Sequence, residues 1–134
     1  MTIFLDTNIC IHILNGSSER AIDNFRNTDK DDIVIPSVVA AELIYGANKS
    51  AKHDYNLERF REFLRQFRIA CLTAAAIETY GEIRVELERK GTPIGANDYF
   101  IAAIVKAYGG VLVTNNTREF SRVDGIIVED WTLA

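Results

Sequence analysis

Three acidic residues interrupt apolar segments of the sequence, where a charged side chain is costly. Asp6 lies in IFLDTNICI, Glu42 in VVAAELIYG and Asp98 in GANDYFIAA, and none of these segments contains a lysine or arginine. An ionised carboxylate is rarely buried without a partner. If the three side chains meet, their mutual repulsion requires a cation among them. Carboxylate and water oxygens are the ligands that Mg²⁺ and Mn²⁺ prefer, so the pattern predicts a divalent metal site.

Each acid also has an ordinary structural interpretation when it is considered alone. Asp6 fits the cap of a helix, and Asp98 fits a first helical turn, where the backbone dipole favours negative charge. Glu42 fits the solvent-facing side of its helix. For each acid alone, the structural interpretation is at least as good as metal binding. For the three acids together it is weaker, because they lie at element starts and faces that an α/β fold would bring together.

The elements around these acids are predicted to alternate between strands and helices. Short runs rich in Ile and Val alternate with longer segments of helical periodicity, which predicts an α/β, three-layer α/β/α sandwich with a mostly parallel central sheet. Asp6 directly follows the first strand, at the sheet edge where ligands bind. The predicted strands are Ile3–Leu5, Ile33–Ile35, Ile69–Leu72, Val111–Val113 and Ile126–Val128. Helices are predicted from Thr7 or Asn8, from about Ser18, from Pro36 or Ser37, and over 52–67, Ala74–Lys90, Asn97–Tyr108 and Thr117–Arg122.

Length and composition predict one ordinary globular domain over residues 1–134. Hydrophobic residues make up 48% and charged residues 25% of the chain, and the longest apolar runs are too short to cross a membrane. No basic residue precedes the first apolar run, as a secretory signal would require, so we expect a cytoplasmic protein. The two cysteines, Cys10 and Cys71, lie in apolar stretches, which favours buried free thiols.

Four blocks of the sequence resemble the PIN-domain ribonucleases, specifically the VapC-type toxins of bacterial toxin–antitoxin pairs. The blocks are FLDTNI, AELIYGA, GTPIGANDYFIAA and VTNNTREF, which occur in the family's order and span nearly the whole chain. The resemblance implies a PIN-like sandwich and metal-binding carboxylates at Asp6, Glu42 and Asp98. The family's fourth acidic position falls on Asn116, and Glu119 three residues later is an alternative source of that charge.

The region around this fourth position has two interpretations that the sequence leaves open. Glu119 either joins the acidic cluster or completes a capping box with Asn116 as the helix cap. The number of metal ions, one or two, stays open with it. Polar neighbours of the acids are candidates for orienting the ligands or contacting phosphate, although a cap fits Thr7 and Asn8 better. These candidates are Thr7, Asn8, Thr114 and Asn115.

Carboxylates that hold Mg²⁺ suit phosphodiester hydrolysis. The resemblance implies an endoribonuclease toxin that cleaves structured RNA, often tRNA, inhibits translation, forms a homodimer and is neutralised by a VapB-type antitoxin. The net charge of −4 provides no broad field for RNA, so any contact must be local. The segment 49–68 carries a local excess of basic residues, although each of them singly fits a solvated helix face.

Two rival functions belong to other classes of protein. A PIN-like module that binds RNA or protein without cleavage is suggested by the neutral Asn116 in the fourth position. A phosphoacceptor receiver domain shares the acids at strand ends, but it requires an acidic pair near the N-terminus and a lysine after a late strand. Neither feature is present, so the metal-dependent ribonuclease is the favoured hypothesis.

Overall fold

Five short runs of apolar residues form a parallel sheet in the computed structural model, which describes residues 1–133. The strands are β1 (Ile3–Leu5), β2 (Ile33–Pro36), β3 (Arg68–Ala70), β4 (Val111–Val113) and β5 (Ile127–Glu129). Their order across the sheet is β3-β2-β1-β4-β5, and all four pairings are parallel. The predicted α/β/α sandwich with a parallel sheet is therefore confirmed. The predicted single domain of 1–134 includes Ala134, which lies outside the described residues.

Seven α-helices of the described chain connect and cover these strands. They are α1 (Thr7–Asn15), α2 (Glu19–Arg26), α3 (Ser37–Lys49), α4 (His53–Leu64), α5 (Ala74–Arg89), α6 (Ala96–Tyr108) and α7 (Thr117–Phe120). Helix α5 packs on α6, α3 on α4, and α1 against both α2 and α3. The helix ends differ from the predicted ends by at most three residues, as in α4, which is shorter than the predicted 52–67. None of the described helices is long and apolar enough to cross a membrane.

The central strands are buried because helices cover both faces of the sheet. Phe4 and Leu5 of β1 and Leu112 and Val113 of β4 are all fully buried, and α6 contributes a nearly continuous buried run from Tyr99 to Val105. Continuous apolar runs are typical of parallel strands that are covered on two sides.

The position of β3 at one edge of the sheet explains why the predicted burial of one cysteine was wrong. Cys10 on α1 is buried as predicted, whereas Cys71 is exposed. Cys71 follows β3, which lies at one edge of the sheet and has two exposed residues among its three. An edge strand has a neighbour on one side only, so the residue that leaves it stays accessible despite its apolar sequence context.

The strand order places a crevice beside β1. The chain continues from β1 to β2, which pairs with β1 on one side, and the later strand β4 pairs with β1 on the other side. Ligands of open parallel sheets bind outside the carboxyl ends of the strands where the order reverses in this way. The residues directly after β1 and β4 are Asp6 and Thr114, so the fold brings these two positions to that crevice.

Candidate metal centre

Asp6 is held at the carboxyl end of β1 by both of its side-chain oxygens. Its backbone N–H donates to the Val113 carbonyl at 2.9 Å, which fixes it beside β4. Oδ1 accepts from the Thr7 backbone N–H at 2.7 Å, so Asp6 caps α1. Thr7 and Asn8, which were the expected caps, begin the helix instead. Asp6 is only 7% exposed, so it is at once a cap and a buried carboxylate.

Thr114 supplies the second hydrogen bond to Asp6. Its Oγ1 donates to Asp6 Oδ2 at 2.7 Å and accepts from the Asn116 backbone N–H at 3.0 Å, and the residue is fully buried. Burial raises the pKa of Asp6, and the hydrogen bonds from Thr114 and Thr7 offset only part of that rise. The predicted orienting role of Thr114 therefore has a geometric basis.

Glu42 reaches the same crevice from α3, which follows the neighbouring strand β2. The Thr7 side-chain hydroxyl donates to Glu42 Oε1 at 2.9 Å. Thr7 thus contacts both acids, since its backbone binds Asp6 and its side chain binds Glu42. This hydrogen bond links α1 to α3 across the carboxyl ends of two adjacent strands.

Asp98 lies in the first turn of α6 and is the most perturbed carboxyl of the cluster. Burial raises its pKa to about 7, and the negative charges of Asp6, Glu119 and Glu42 add to that rise. Gly95, which precedes the helix, lies close to it: a Cβ at that position would be 3.1 Å from Asp98 Oδ2. The three acids that the sequence singled out therefore share one electrostatic environment.

Glu119, rather than Asn116, brings the fourth carboxylate to this cluster. The Asn116 side-chain amide donates to Glu119 Oε2 at 2.6 Å, and the negative charge of Glu119 contributes to the raised pKa of Asp98. Asn116 caps α7 without a side-chain capping bond, so the capping box, which was the alternative interpretation of Glu119, is not formed. Asn116 instead holds a neighbouring carboxylate in place.

The two remaining candidates are not brought into these contacts. Asn8 and Asn115 are exposed, and within residues 1–133 their side chains form no hydrogen bond to the acids.

Two arginines of the basic segment 49–68 form contacts within the protein. Arg59 donates to the Leu14 carbonyl and to Asn15 Oδ1 at the end of α1, and Arg65 pairs with Glu62.

The donor set of the cluster fits a hard divalent cation. Four carboxylates converge from the end of β1 and from α3, α6 and α7, and Asp98 carries a pKa of about 7 that a nearby cation would lower. Among the described residues, no group of three or more His, Cys, Asp or Glu side chains is arranged so that it could hold a metal ion directly. Mg²⁺ generally keeps several waters and binds directly through only one or two carboxylates, so the remaining acids would act through those waters.

A groove beside the carboxylates was not predicted from the sequence. It has a volume of about 660 Å³, and we call it the α3–α6 groove. Glu42 and Thr7 are among its lining residues, so the groove adjoins the carboxylates. The other lining residues are Val38, Ala41, Tyr45, Leu72, Asn97 and Phe100. The available signal was Tyr45, a large aromatic residue one turn after Glu42 on α3, which is 65% exposed.

Comparison with known proteins gives one consistent result. The PIN domain family model matches residues 3–126. Ribonuclease VapC2 of Rickettsia felis is 41% identical over 98% of both chains, and the tRNA(fMet)-specific endonuclease VapC of Shigella flexneri is 40% identical over 98% of this chain and 99% of its own length. Among solved structures, DNA-bound VapBC from Salmonella typhimurium contains a chain with 40% identity, 98% coverage of both chains and a TM-score of 0.91.

Proposed function

Because the chain belongs to the PIN-domain family, and within it to the VapC proteins, we propose that it is a metal-dependent endoribonuclease toxin. The observation that carries the proposal is the convergence of Asp6, Glu42, Asp98 and Glu119 at the carboxyl edge of the sheet, with the pKa of Asp98 raised to about 7. Such repulsion destabilises the protein unless the site binds positive charge. Mg²⁺ is the cation that this oxygen-rich site would take, with Mn²⁺ as a substitute.

Each residue has a distinct part in this proposal. Asp6, Glu42 and Asp98 hold the cation, Glu119 supplies a further carboxylate, and Asn116 orients Glu119. Thr7 and Thr114 keep Glu42 and Asp6 in fixed orientations through hydrogen bonds. When bound, Mg²⁺ activates water and offsets the charge that develops on the scissile phosphate. The chain's own contribution is to pre-position these oxygens so that little reorganisation accompanies the reaction.

The proposed substrate is a structured RNA, and the first to test is initiator tRNA. Relatives named tRNA(fMet)-specific endonuclease VapC are 40–42% identical to this chain over nearly its full length. Cleavage of a tRNA would inhibit translation. The proposed partner is a VapB-type antitoxin, because solved relatives with high TM-scores are VapBC complexes. The homodimer that the sequence resemblance implies stays a prediction.

The decisive experiment maps the cleavage of end-labelled total RNA and of purified initiator and elongator methionine tRNAs. The protein is incubated with Mg²⁺, with Mn²⁺ and with EDTA. We expect cleavage with either metal and none with EDTA. Asp6→Ala and Asp98→Ala should lose activity, whereas Asp23→Asn, which changes an exposed aspartate on α2, should retain it. If Asp6→Ala cuts as fast as the parent, the assignment of the centre is wrong.

A binding module that does not cleave RNA is the second candidate, and the neutral Asn116 is the observation that favours it. Such a protein would bind RNA with salt-dependent affinity and leave it intact with every metal. Asn116→Asp separates the two ideas further. It replaces the amide that donates to Glu119 with a fifth like charge, so the variant should depend more strongly on metal for stability. An unchanged metal dependence would contradict a role for position 116 in the centre.

A further inference from the structure

We propose that the α3–α6 groove binds a single unstacked RNA base next to the phosphate that is cut, with Tyr45 and Phe100 as its aromatic contacts. This inference rests on the proposed ribonuclease function and adds a residue-level account of how the substrate is held. Glu42 and Thr7 belong both to the groove and to the carboxylate cluster. A nucleotide whose phosphate lies at the carboxylates would therefore present its base, or the adjacent base, to the groove.

Phe100 provides a rigid aromatic surface on the α6 side of the groove. Its ring is stacked on Tyr80 of α5, with ring centroids 4.3 Å apart and an interplanar angle of 12°. The Tyr80 hydroxyl in turn accepts a hydrogen bond from Arg84 Nη1 at 2.6 Å. This support from α5 fixes the orientation of the Phe100 ring while Phe100 still lines the groove. A pre-oriented ring loses little conformational freedom when a base packs against it.

Tyr45 provides a second aromatic side chain on the α3 side. It is 65% exposed, so its ring does not serve the core. The Lys49 ammonium lies 5.8 Å from the ring centroid and places a positive charge near the groove's rim. Proteins that bind single-stranded RNA combine exposed aromatic rings with basic groups that follow the backbone. The pair of Tyr45 and Lys49 has this composition.

The polar groups of the groove favour a base over a phosphate. Glu42 is the one acidic residue in its lining, which disfavours a phosphate inside the groove itself. Asn97 is exposed, and its amide carries both donors and an acceptor that suit the edge of a base. The remaining lining is aliphatic: Val38, Ala41 and Leu72. A volume of about 660 Å³ lies within the usual range of small-ligand sites.

The test uses RNA hexamers in which 2-aminopurine, whose fluorescence is quenched by stacking, replaces each position in turn. Binding to the full chain is measured in Ca²⁺, a hard cation that carboxylates also bind. We expect quenching at one or two positions. Tyr45→Ala and Phe100→Leu should abolish it and weaken RNA binding about 5- to 150-fold, the usual range for one stacked base. Tyr45→Phe should retain both.

The matched control is Tyr55→Ala on α4. Tyr55 is 60% exposed and has the Arg59 guanidinium 5.3 Å from its ring, yet it does not line this groove. Its loss should leave quenching unchanged. If Tyr45→Ala and Phe100→Leu are folded by circular dichroism and bind RNA like the parent, the groove serves another occupant, such as a protein segment, and the inference is wrong.

Failure of this inference is distinguishable from failure of the proposed function. Cleavage of RNA in Mg²⁺ with no quenched position would refute the base site and leave the ribonuclease intact. Quenching that Tyr45→Ala removes, in RNA that is never cut, would support the base site and refute the ribonuclease.

Discussion

Replacing Asp98 with asparagine should stabilise the metal-free protein, although it removes a proposed metal ligand. Asparagine has the shape of a protonated aspartate and carries no charge, so it removes the repulsion from Asp6, Glu42 and Glu119. The pKa of Asp98 is raised from 3.8 to about 7, chiefly by burial and then by these charges. Between those values the folded state binds more protons than the unfolded state does. Stability therefore falls as the pH rises through this window and is constant above it.

The size of the effect follows from that pKa. A rise from 3.8 to about 7 costs the folded protein up to about 4 kcal/mol above pH 7. Because Asp98 is only half-buried, solvent screening should reduce this free-energy cost to roughly 1 to 2 kcal/mol. For a chain of this length the unfolding temperature should rise by about 3 to 8 °C.

The assay is thermal unfolding in EDTA at pH 8 and at pH 4.5, followed by circular dichroism. The advantage of Asp98→Asn should be full at pH 8 and should shrink at pH 4.5, where the parent's carboxyl is protonated. At pH 8, Mg²⁺ should make the parent more stable than the variant. It stabilises the parent by about 2.7 kcal/mol at a hundredfold excess over Kd, and it stabilises the variant by less. Asp23→Asn should show neither effect. A variant no more stable than the parent in EDTA at pH 8 would refute the reasoning.

Three further outcomes are expected. Thr114→Val removes the hydroxyl that donates to the buried Asp6 carboxylate, so urea unfolding should show a loss of about 1 to 3 kcal/mol at pH 8; an unchanged midpoint would contradict the role of that bond. Gly95→Ala places a Cβ 3.1 Å from Asp98 Oδ2, so Mg²⁺ affinity measured by calorimetry should fall about tenfold, whereas Gly46→Ala, which projects into open space, should leave it unaltered. RNA cleavage at subsaturating Mg²⁺ should decrease as the pH falls below about 7, because a proton on Asp98 competes with the metal; a rate that is flat from pH 8 to pH 5.5 would argue against that competition.

The sequence singles out the acids because their context is chemically anomalous, and their role as metal ligands stays a prediction. Asp6, Glu42 and Asp98 are charged residues in segments that must be buried, and that conflict is visible without coordinates. The parallel sheet was equally predictable, because its strands are continuous apolar runs between helical segments.

What the sequence did not predict depends on packing between distant segments. The choice between Glu119 and Asn116 was open, because both positions share one helical turn and only the approach of α6 brings Glu119 to Asp98. The α3–α6 groove was missed for the same reason. Its walls come from elements that have no common local pattern. Cys71 was misplaced because hydropathy does not reveal which strand lies at a sheet edge.

The hydrogen bond between Asp6 and Thr114 joins residues 108 positions apart and has a consequence for the order of biosynthesis. The central strand β1 is synthesised long before its neighbour β4 in the sheet. Glu119 follows later still. A nascent chain that has not yet reached β4 therefore lacks the Thr114 hydroxyl that fixes its first carboxylate, so the complete carboxylate cluster can form only after Glu119 has been synthesised.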